Sequence, residues 1–177
     1  PPMSALDLYN HPSAQYAQRV ERAIALLRDV AATHPRLTQA SSLGVEDVVV
    51  THLIHMAGIR SRIFVLETGR LHPETLALIP QIEQRYGRTI DRYHPVQEEV
   101  VHFVRTEGDD AMFRSVGLRK ACCELRKMEP LSRALAGVDG WITGLRREQS
   151  NARAEAAEGV QEPGRVKVSP LVDWTWG

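Results

Sequence analysis

Four short segments carry the residue types that hold anions or do sulfur chemistry. The first is Ser41-Ser42-Leu43-Gly44-Val45-Glu46-Asp47. Small residues in such a run let backbone N–H groups close on a phosphate or sulfate, and a helix starting there adds positive potential. An ordinary strand-to-helix turn, with serines as caps and carboxylates suiting the helix dipole, would use the same residues. The second segment, Glu67-Thr68-Gly69-Arg70-Leu71-His72-Pro73-Glu74-Thr75, brings Thr68 and Gly69 to the same sheet edge. Its His72 and Glu74 have the chemistry of metal ligands or of an acid and base, or simply of a solvent-facing helix start.

The third segment, Arg146-Arg147-Glu148-Gln149-Ser150, pairs two guanidinium groups suited to a bidentate grip on phosphate or sulfate. A solvated charge run is the alternative. The fourth, Arg119-Lys120-Ala121-Cys122-Cys123-Glu124-Leu125-Arg126-Lys127, sets two adjacent thiols among four basic residues that favour their thiolate forms. Such thiolates serve as metal-cluster ligands or as nucleophiles. A four-iron cluster needs four of them, so two buried core cysteines are the competing reading. Neither G-x-x-x-x-G-K-[ST] nor G-x-G-x-x-G occurs, which removes the usual support for a triphosphate kinase or a Rossmann dinucleotide site.

These segments need a scaffold that puts them on one edge. Apolar spacing predicts a helix over 12–34, then a strand over 37–43 running directly into a helix over 46–56. A buried strand at 62–67, a helix at 74–86 and a strand at 88–93 repeat the unit. A short helix is expected at 97–106, a polar connection at 109–117, and a helix at 119–136 that Pro130 breaks or restarts. Residues 141–144 read as a strand, 145–162 as a mobile loop or frayed helix, and 166–172 as a last strand. Strands alternating with helices predict an α/β fold, a doubly wound and mainly parallel sheet flanked by helices, with ligands at the carboxyl ends of the strands.

At 177 residues and 43% hydrophobic content, one compact domain over residues 1–177 is expected. The 22 basic residues equal the 22 acidic ones, so no global field favours nucleic acid or a membrane surface, and any anion must be held locally. No apolar run is long enough to span a bilayer and no signal-peptide layout opens the chain, so a cytoplasmic protein is expected. The two cysteines are adjacent, which makes a structural disulfide between them improbable.

Taken in order, these segments resemble the adenylyl-sulfate and phosphoadenylyl-sulfate reductase family, over nearly everything from Leu37 to Gly177. Ser42 to Asp47 resembles its modified pyrophosphatase loop, and Leu66 to Thr75 its second loop. Cys122-Cys123 with Arg126-Lys127 resembles its cluster motif, and Gly144 to Ser150 its arginine loop. Pro170 to Thr175 is similar to the segment that follows.

The resemblance implies an adenine nucleotide α-hydrolase-like fold and a thioredoxin-dependent reduction of adenylyl sulfate in sulfate assimilation. Phosphoadenylyl sulfate is the alternative substrate. It assigns Ser41, Ser42, Gly44, Glu46 and Asp47 to the nucleotide loop, Thr68 and Gly69 to the adenosine side, and Arg146 and Arg147 to the phosphosulfate, with Gln149 a weaker candidate. Lys127 would link substrate and cluster electrostatically. Cys122 and Cys123 would be two of four ligands of a 4Fe-4S cluster. The other two, and the catalytic cysteine that becomes an S-sulfocysteine before thioredoxin releases sulfite, are expected beyond Gly177 in a chain that is a truncated form. Homo-oligomerisation is also implied. ATP-splitting relatives usually carry Ser-Gly-Gly-x-Asp-Ser with a lysine close by. Here Leu43 and Val45 stand in those places, which disfavours the competing reading of a magnesium-dependent adenylyltransferase. A module that binds nucleotide without catalysis is the other competitor.

Overall fold

The computed structural model describes residues 14–149 and 157–175. In chain order its elements are α1 (Tyr16–Thr33), β1 (Leu37–Ser41), α2 (Val45–Ala57), β2 (Arg62–Leu66), α3 (Pro73–Leu76), α4 (Leu78–Tyr86) and β3 (Ile90–Tyr93). There follow α5 (Gln97–Glu107), α6 (Ala111–Arg114), α7 (Val116–Cys123), a π-helical turn (Glu124–Met128), α8 (Glu129–Ala134), β4 (Gly140–Ile142), a 3-10 turn (Arg147–Gln149), β5 (Gly159–Glu162) and β6 (Arg165–Val168).

The strands form one sheet in the order β3-β2-β1-β4-β6-β5, parallel throughout except for β5. From β1 the chain winds outward through β2 to β3, then returns past β1 to enter β4 on its other side. The chain leaves β1 for β2 on one side and β4 for β5 and β6 on the other, and a crevice opens at their carboxyl ends. Both faces are covered. Leu27 of α1 and Val50, Leu53 and Ile54 of α2 pack with Leu37, Ile142 and Val168 of the sheet. On the same face Ile79 and Ile82 of α4 cover Ile63, Val65 and Ile90. The other face is sealed by Leu131, Ala134 and Leu135 against Ala40, Phe64, Leu66 and Trp141. The alternation of Phe64 with Ile63 and Val65 is the two-residue period of a strand buried on both sides.

Central strand β1 reads Leu-Thr-Gln-Ala-Ser, a polar sequence for a buried position. Its Gln39 is fully buried and satisfied: Nε2 donates to the Asp47 carbonyl at 2.8 Å and Oε1 accepts from Thr51 Oγ1 at 2.9 Å. A buried amide so paired carries no desolvation penalty and ties β1 to the first turns of α2.

Three elements differ from the sequence expectation, each for a local reason. The helix expected over 74–86 divides at Ala77, because Pro80 has no N–H to give the carbonyl four residues earlier. The same constraint acts near Pro130. Instead of breaking the helix, the backbone widens into the π turn, whose closing bond runs from Glu129 N–H to Glu124 O, and α8 continues in line. Within 145–162, Gly159–Glu162 is an antiparallel edge strand rather than loop or helix, and 150–156 lie outside the described residues. Pro163-Gly164 forms its two-residue turn, with Gly164 at φ +77°, and the register pairs Glu162 with Arg165.

The polar connection expected over 109–117 also contains α6, and Ser115 Oγ caps α7 by accepting from Leu118 N at 3.0 Å. Leu27 is completely buried between α1 and the sheet. Leu27→Ala should lower unfolding free energy by about 2–5 kcal/mol, read as a reduced urea midpoint at unchanged m-value.

Candidate functional site

The strand-end crevice is organised by the carboxylate of Asp47. Its Oδ2 accepts from Ser42 N at 2.7 Å and from Ser42 Oγ at 2.6 Å, while Oδ1 accepts from Gly144 N at 3.0 Å. One side chain thus fixes the loop after β1, the start of α2 and the loop after β4. Gly144 is required by this contact: a Cβ there would lie 2.4 Å from Asp47 Oδ1 and 3.1 Å from Asp47 N. Ser41 Oγ accepts from Leu43 N at 3.1 Å, and Leu43 adopts φ +64° with its side chain buried among Ile63, Val65 and Ile79. Gly44 is the extended residue preceding α2. The first-turn N–H groups of α2 have no intrahelical acceptor and give this end of the helix positive potential.

A cavity of about 1040 Å3 opens onto that loop. Ser41, Ser42, Glu46 and Asp47 form one wall, and Thr68, Arg70 and Leu71 another. Facing them, α7 and the π turn contribute Arg119, Lys120, Cys122, Cys123, Arg126 and Lys127. Trp141 and Lys167 form the remaining side, the ammonium lying 5.0 Å from the indole centroid. Arg126 spans the walls by donating from Nη1 to Thr68 O at 2.8 Å, and Gly69, at φ +80°, sits directly under that guanidinium. Arg70 is paired with Asp109. Arg119, Lys120 and Lys127 make no ion pair among the described residues. The wall therefore carries six cationic side chains against Glu46 and Asp47, both already engaged. This is a positive field concentrated in a chain whose formal charge is zero.

Of the arginine loop, Gly144 and Leu145 line the cavity, while Arg146 and Arg147 lie beside it. Arg146 is 8% exposed, donates from Nε and Nη2 to Glu46 Oε1 at 3.1 and 3.0 Å, and reaches Glu148 Oε2 at 3.2 Å through Nη1. Arg147 pairs with Asp173, and its N–H donates to Val172 O at 2.8 Å. Gln149 closes the 3-10 turn, and Ser150 lies outside the described residues. Both thiols are free, Cys122 buried and Cys123 exposed. His72 precedes α3 as its N-cap position and Glu74 lies in its first turn, and neither lines the cavity.

The structure thus brings Ser41, Ser42, Glu46, Asp47, Thr68, Lys127, Cys122 and Cys123 to one space, with Gly44 and Gly69 shaping its loops. Sequence reasoning missed Gln39, Arg70, Trp141, Gly144 and Lys167. For Lys167 and Trp141 the available signal was their period-two placement on neighbouring strands, in register at Trp141↔Lys167. Gln39 and Gly144 act through tertiary contacts that carry no local signature.

Fold and crevice together define an α/β domain with a mainly parallel sheet and a cation-lined cavity at the carboxyl ends of its strands. Residues 36–177 match the phosphoadenosine phosphosulfate reductase domain, and the chain belongs to that family. It is 48% identical over 163 residues to the adenosine 5'-phosphosulfate reductase of Burkholderia cepacia, spanning 91% of this chain and 65% of that protein. With the adenosine 5'-phosphosulfate reductase of Allochromatium vinosum it shares 46% identity over 159 residues, 89% of this chain and 62% of the relative. The chain thus spans less than two thirds of the length of these relatives. The crystal structure of phosphoadenylyl-sulfate reductase from Candida auris superposes with a TM-score of 0.69 at 24% identity, covering 92% of this chain and 81% of that one. The two share the expected α/β fold, a mainly parallel sheet flanked by helices.

Replacing Asp47 by alanine leaves Ser42 N and Gly144 N without acceptors. Asp47→Ala should cost about 2–4 kcal/mol of folding stability, measured by chemical denaturation, and Gly144→Ala should destabilise in the same direction by displacing the same carboxylate.

Proposed function

We propose that the protein to which this chain belongs reduces adenylyl sulfate to sulfite and AMP, and that residues 1–177 act as one sulfonucleotide-binding domain. The observation that carries this reading is the cavity at the strand ends, where a serine loop, six cationic side chains and two thiols share one space. Its apolar part, formed by Phe64, Val65, Leu66 and Leu71 beside Thr68, suits an adenosine. Its cationic part suits the phosphosulfate. Ser41, Ser42 and the first amides of α2 would hold the phosphate, with Glu46 and Asp47 acting through the loop they order. Arg146 and Arg147 would support the cradle from behind, Arg146 by fixing Glu46 and Arg147 by fixing the segment at Asp173. Gln149 stands beside them in sequence.

Arg119, Lys120, Arg126 and Lys127 would orient the sulfonate for in-line attack and stabilise the charge that develops on the bridging oxygen as the S–O bond breaks. Both cysteines of the chain belong to the vicinal pair, so the attacking thiolate of this scheme comes from outside residues 1–177. Thioredoxin is the proposed reductant, a homo-oligomer the proposed assembly and the cytoplasm the proposed location. Among the described residues, no helix is long and apolar enough to cross a membrane.

Cys122 and Cys123 fit two of the four ligands of a 4Fe-4S cluster, since both thiols are free and line one cavity. Among the described residues no group of three or more histidine, cysteine or carboxylate side chains is placed to hold a metal, so this chain offers half a donor set. When bound, such a cluster would supply electrostatic polarisation near the substrate, transmitted by Lys127. Phosphoadenylyl sulfate is the second reading, favoured by the surplus of cations in the wall.

Two measurements test this. The protein comprising this chain, purified without oxygen, should contain four irons and four acid-labile sulfides per chain and release sulfite from adenylyl sulfate with thioredoxin. Failure to form sulfite from either sulfonucleotide would sink the reading. Lys127→Ala and Arg126→Ala should each weaken adenylyl-sulfate binding by roughly 1.5–3 kcal/mol, the worth of one charged hydrogen bond, in a titration calorimeter. Equal affinities in parent and variants would remove the π turn from the site.

A further inference from the structure

The opposite end of the sheet holds a second cavity, of about 690 Å3, whose wall contains four arginines and no carboxylate. It lies where β1 and β2 begin and where the chain approaches β4, so the length of the strands separates it from the crevice already described. Arg36, Arg60, Arg62 and Arg88 surround it, with Tyr86 and His55 alongside.

These arginines are not a row of neutralised ion pairs. Arg88 is half-buried and held by backbone oxygens alone, donating from Nη1 to Ser61 O at 2.8 Å and from Nη2 to Ile59 O at 3.1 Å. Its charge is thus positioned without being cancelled. Arg60 is exposed and makes no ion pair among the described residues. Arg36 and Arg62 meet Asp139 and Asp91 at 3.6 and 3.4 Å, but their side chains are 69% and 79% exposed. Pairs in such solvent contribute little and exchange readily. Two rim carboxylates against four guanidinium groups leave a local surplus of positive charge, in a chain whose 22 basic and 22 acidic residues balance. Solvated arginines scattered over a convex surface would repel one another apart. Here they converge on a concavity, one of them preset by the backbone, and planar guanidinium donors match tetrahedral oxyanions bidentately.

We propose that this cavity is a second anion site, taking a small ligand with phosphate or sulfate groups and more than one negative charge. The proposal does not depend on the function assigned to the first cavity, because it rests on residues at the other end of the strands.

The test is a titration of the isotopically labelled chain with inorganic pyrophosphate, read from the backbone amide shifts of Gly87 and Gly137, both in the wall of this cavity. Arg60→Glu changes the second cavity at an exposed side chain without an ion pair, and Lys127→Glu changes the first. The two glycines should shift saturably in the parent chain. The midpoint should rise roughly tenfold or more in Arg60→Glu, the loss of one charge-assisted contact, and hold in Lys127→Glu. A parallel titration with AMP separates a free inorganic anion from a phosphate carried on a nucleotide, and the lower midpoint identifies the form bound. Glycines that do not move at saturating pyrophosphate, or a midpoint that is unchanged in Arg60→Glu or raised equally in both variants, would overturn the site.

Discussion

The bond network of the Asp47 carboxylate is the constraint on which the strand-end architecture depends. Three donors from two separate stretches, Ser42 N and Ser42 Oγ from one and Gly144 N from the other, converge on its two oxygens. Because β1 and β4 are neighbours in space but about a hundred residues apart in sequence, nothing local can bring their loops together. The carboxylate does so, and it leaves room only for glycine at position 144. Gln39 then completes the link from below by holding the Asp47 carbonyl from the middle of β1. A charged group buried to this extent is tolerable because every acceptor position that counts is satisfied.

The same economy governs where positive charge stands. Arg146 and Arg147, which lace neighbouring segments together, are paired with Glu46 and Asp173. On the cavity wall Arg70 meets Asp109, whereas Arg119, Lys120 and Lys127 have no carboxylate partner among the described residues. The π turn sustains this division. It widens the backbone just before Pro130 and sends Arg126 across to Thr68 O, so the loop after β2 and the helix bearing Cys122 and Cys123 face one another at a fixed spacing.

Much of the fold was legible because the periods are clean. Ile63, Phe64 and Val65 announce a strand buried on both faces, and Val20, Ile24, Leu27 and Val30 announce the helix that packs near β1, β4 and β6. The tight turn from β1 into α2 was legible from its small residues and from the helix beginning at Val45. What escaped reading was tertiary. Asp47 and Glu46 read as ligand contacts from sequence, whereas in space their carboxylates serve the loop and Arg146. Arg146 and Arg147 read as a phosphate grip, yet they lie outside the cavity wall and lace neighbouring segments together. The β5 hairpin was hidden by its exposed polar composition, although Pro163-Gly164 is a turn signal that composition alone obscured.

Leu43 gives the loop an uncommon anchor. Its backbone sits at φ +64°, a conformation costing a non-glycine residue roughly 1–3 kcal/mol, while its buried side chain recovers roughly 1.5–3 kcal/mol by joining Ile63, Val65 and Ile79. A glycine would remove the strain and the anchorage together. With leucine, the loop after β1 is pegged into the hydrophobic interior, so it cannot fray independently as surface loops commonly do. Its amides should therefore exchange with solvent only as slowly as those of the sheet itself, and the loop and the core become a single cooperative unit.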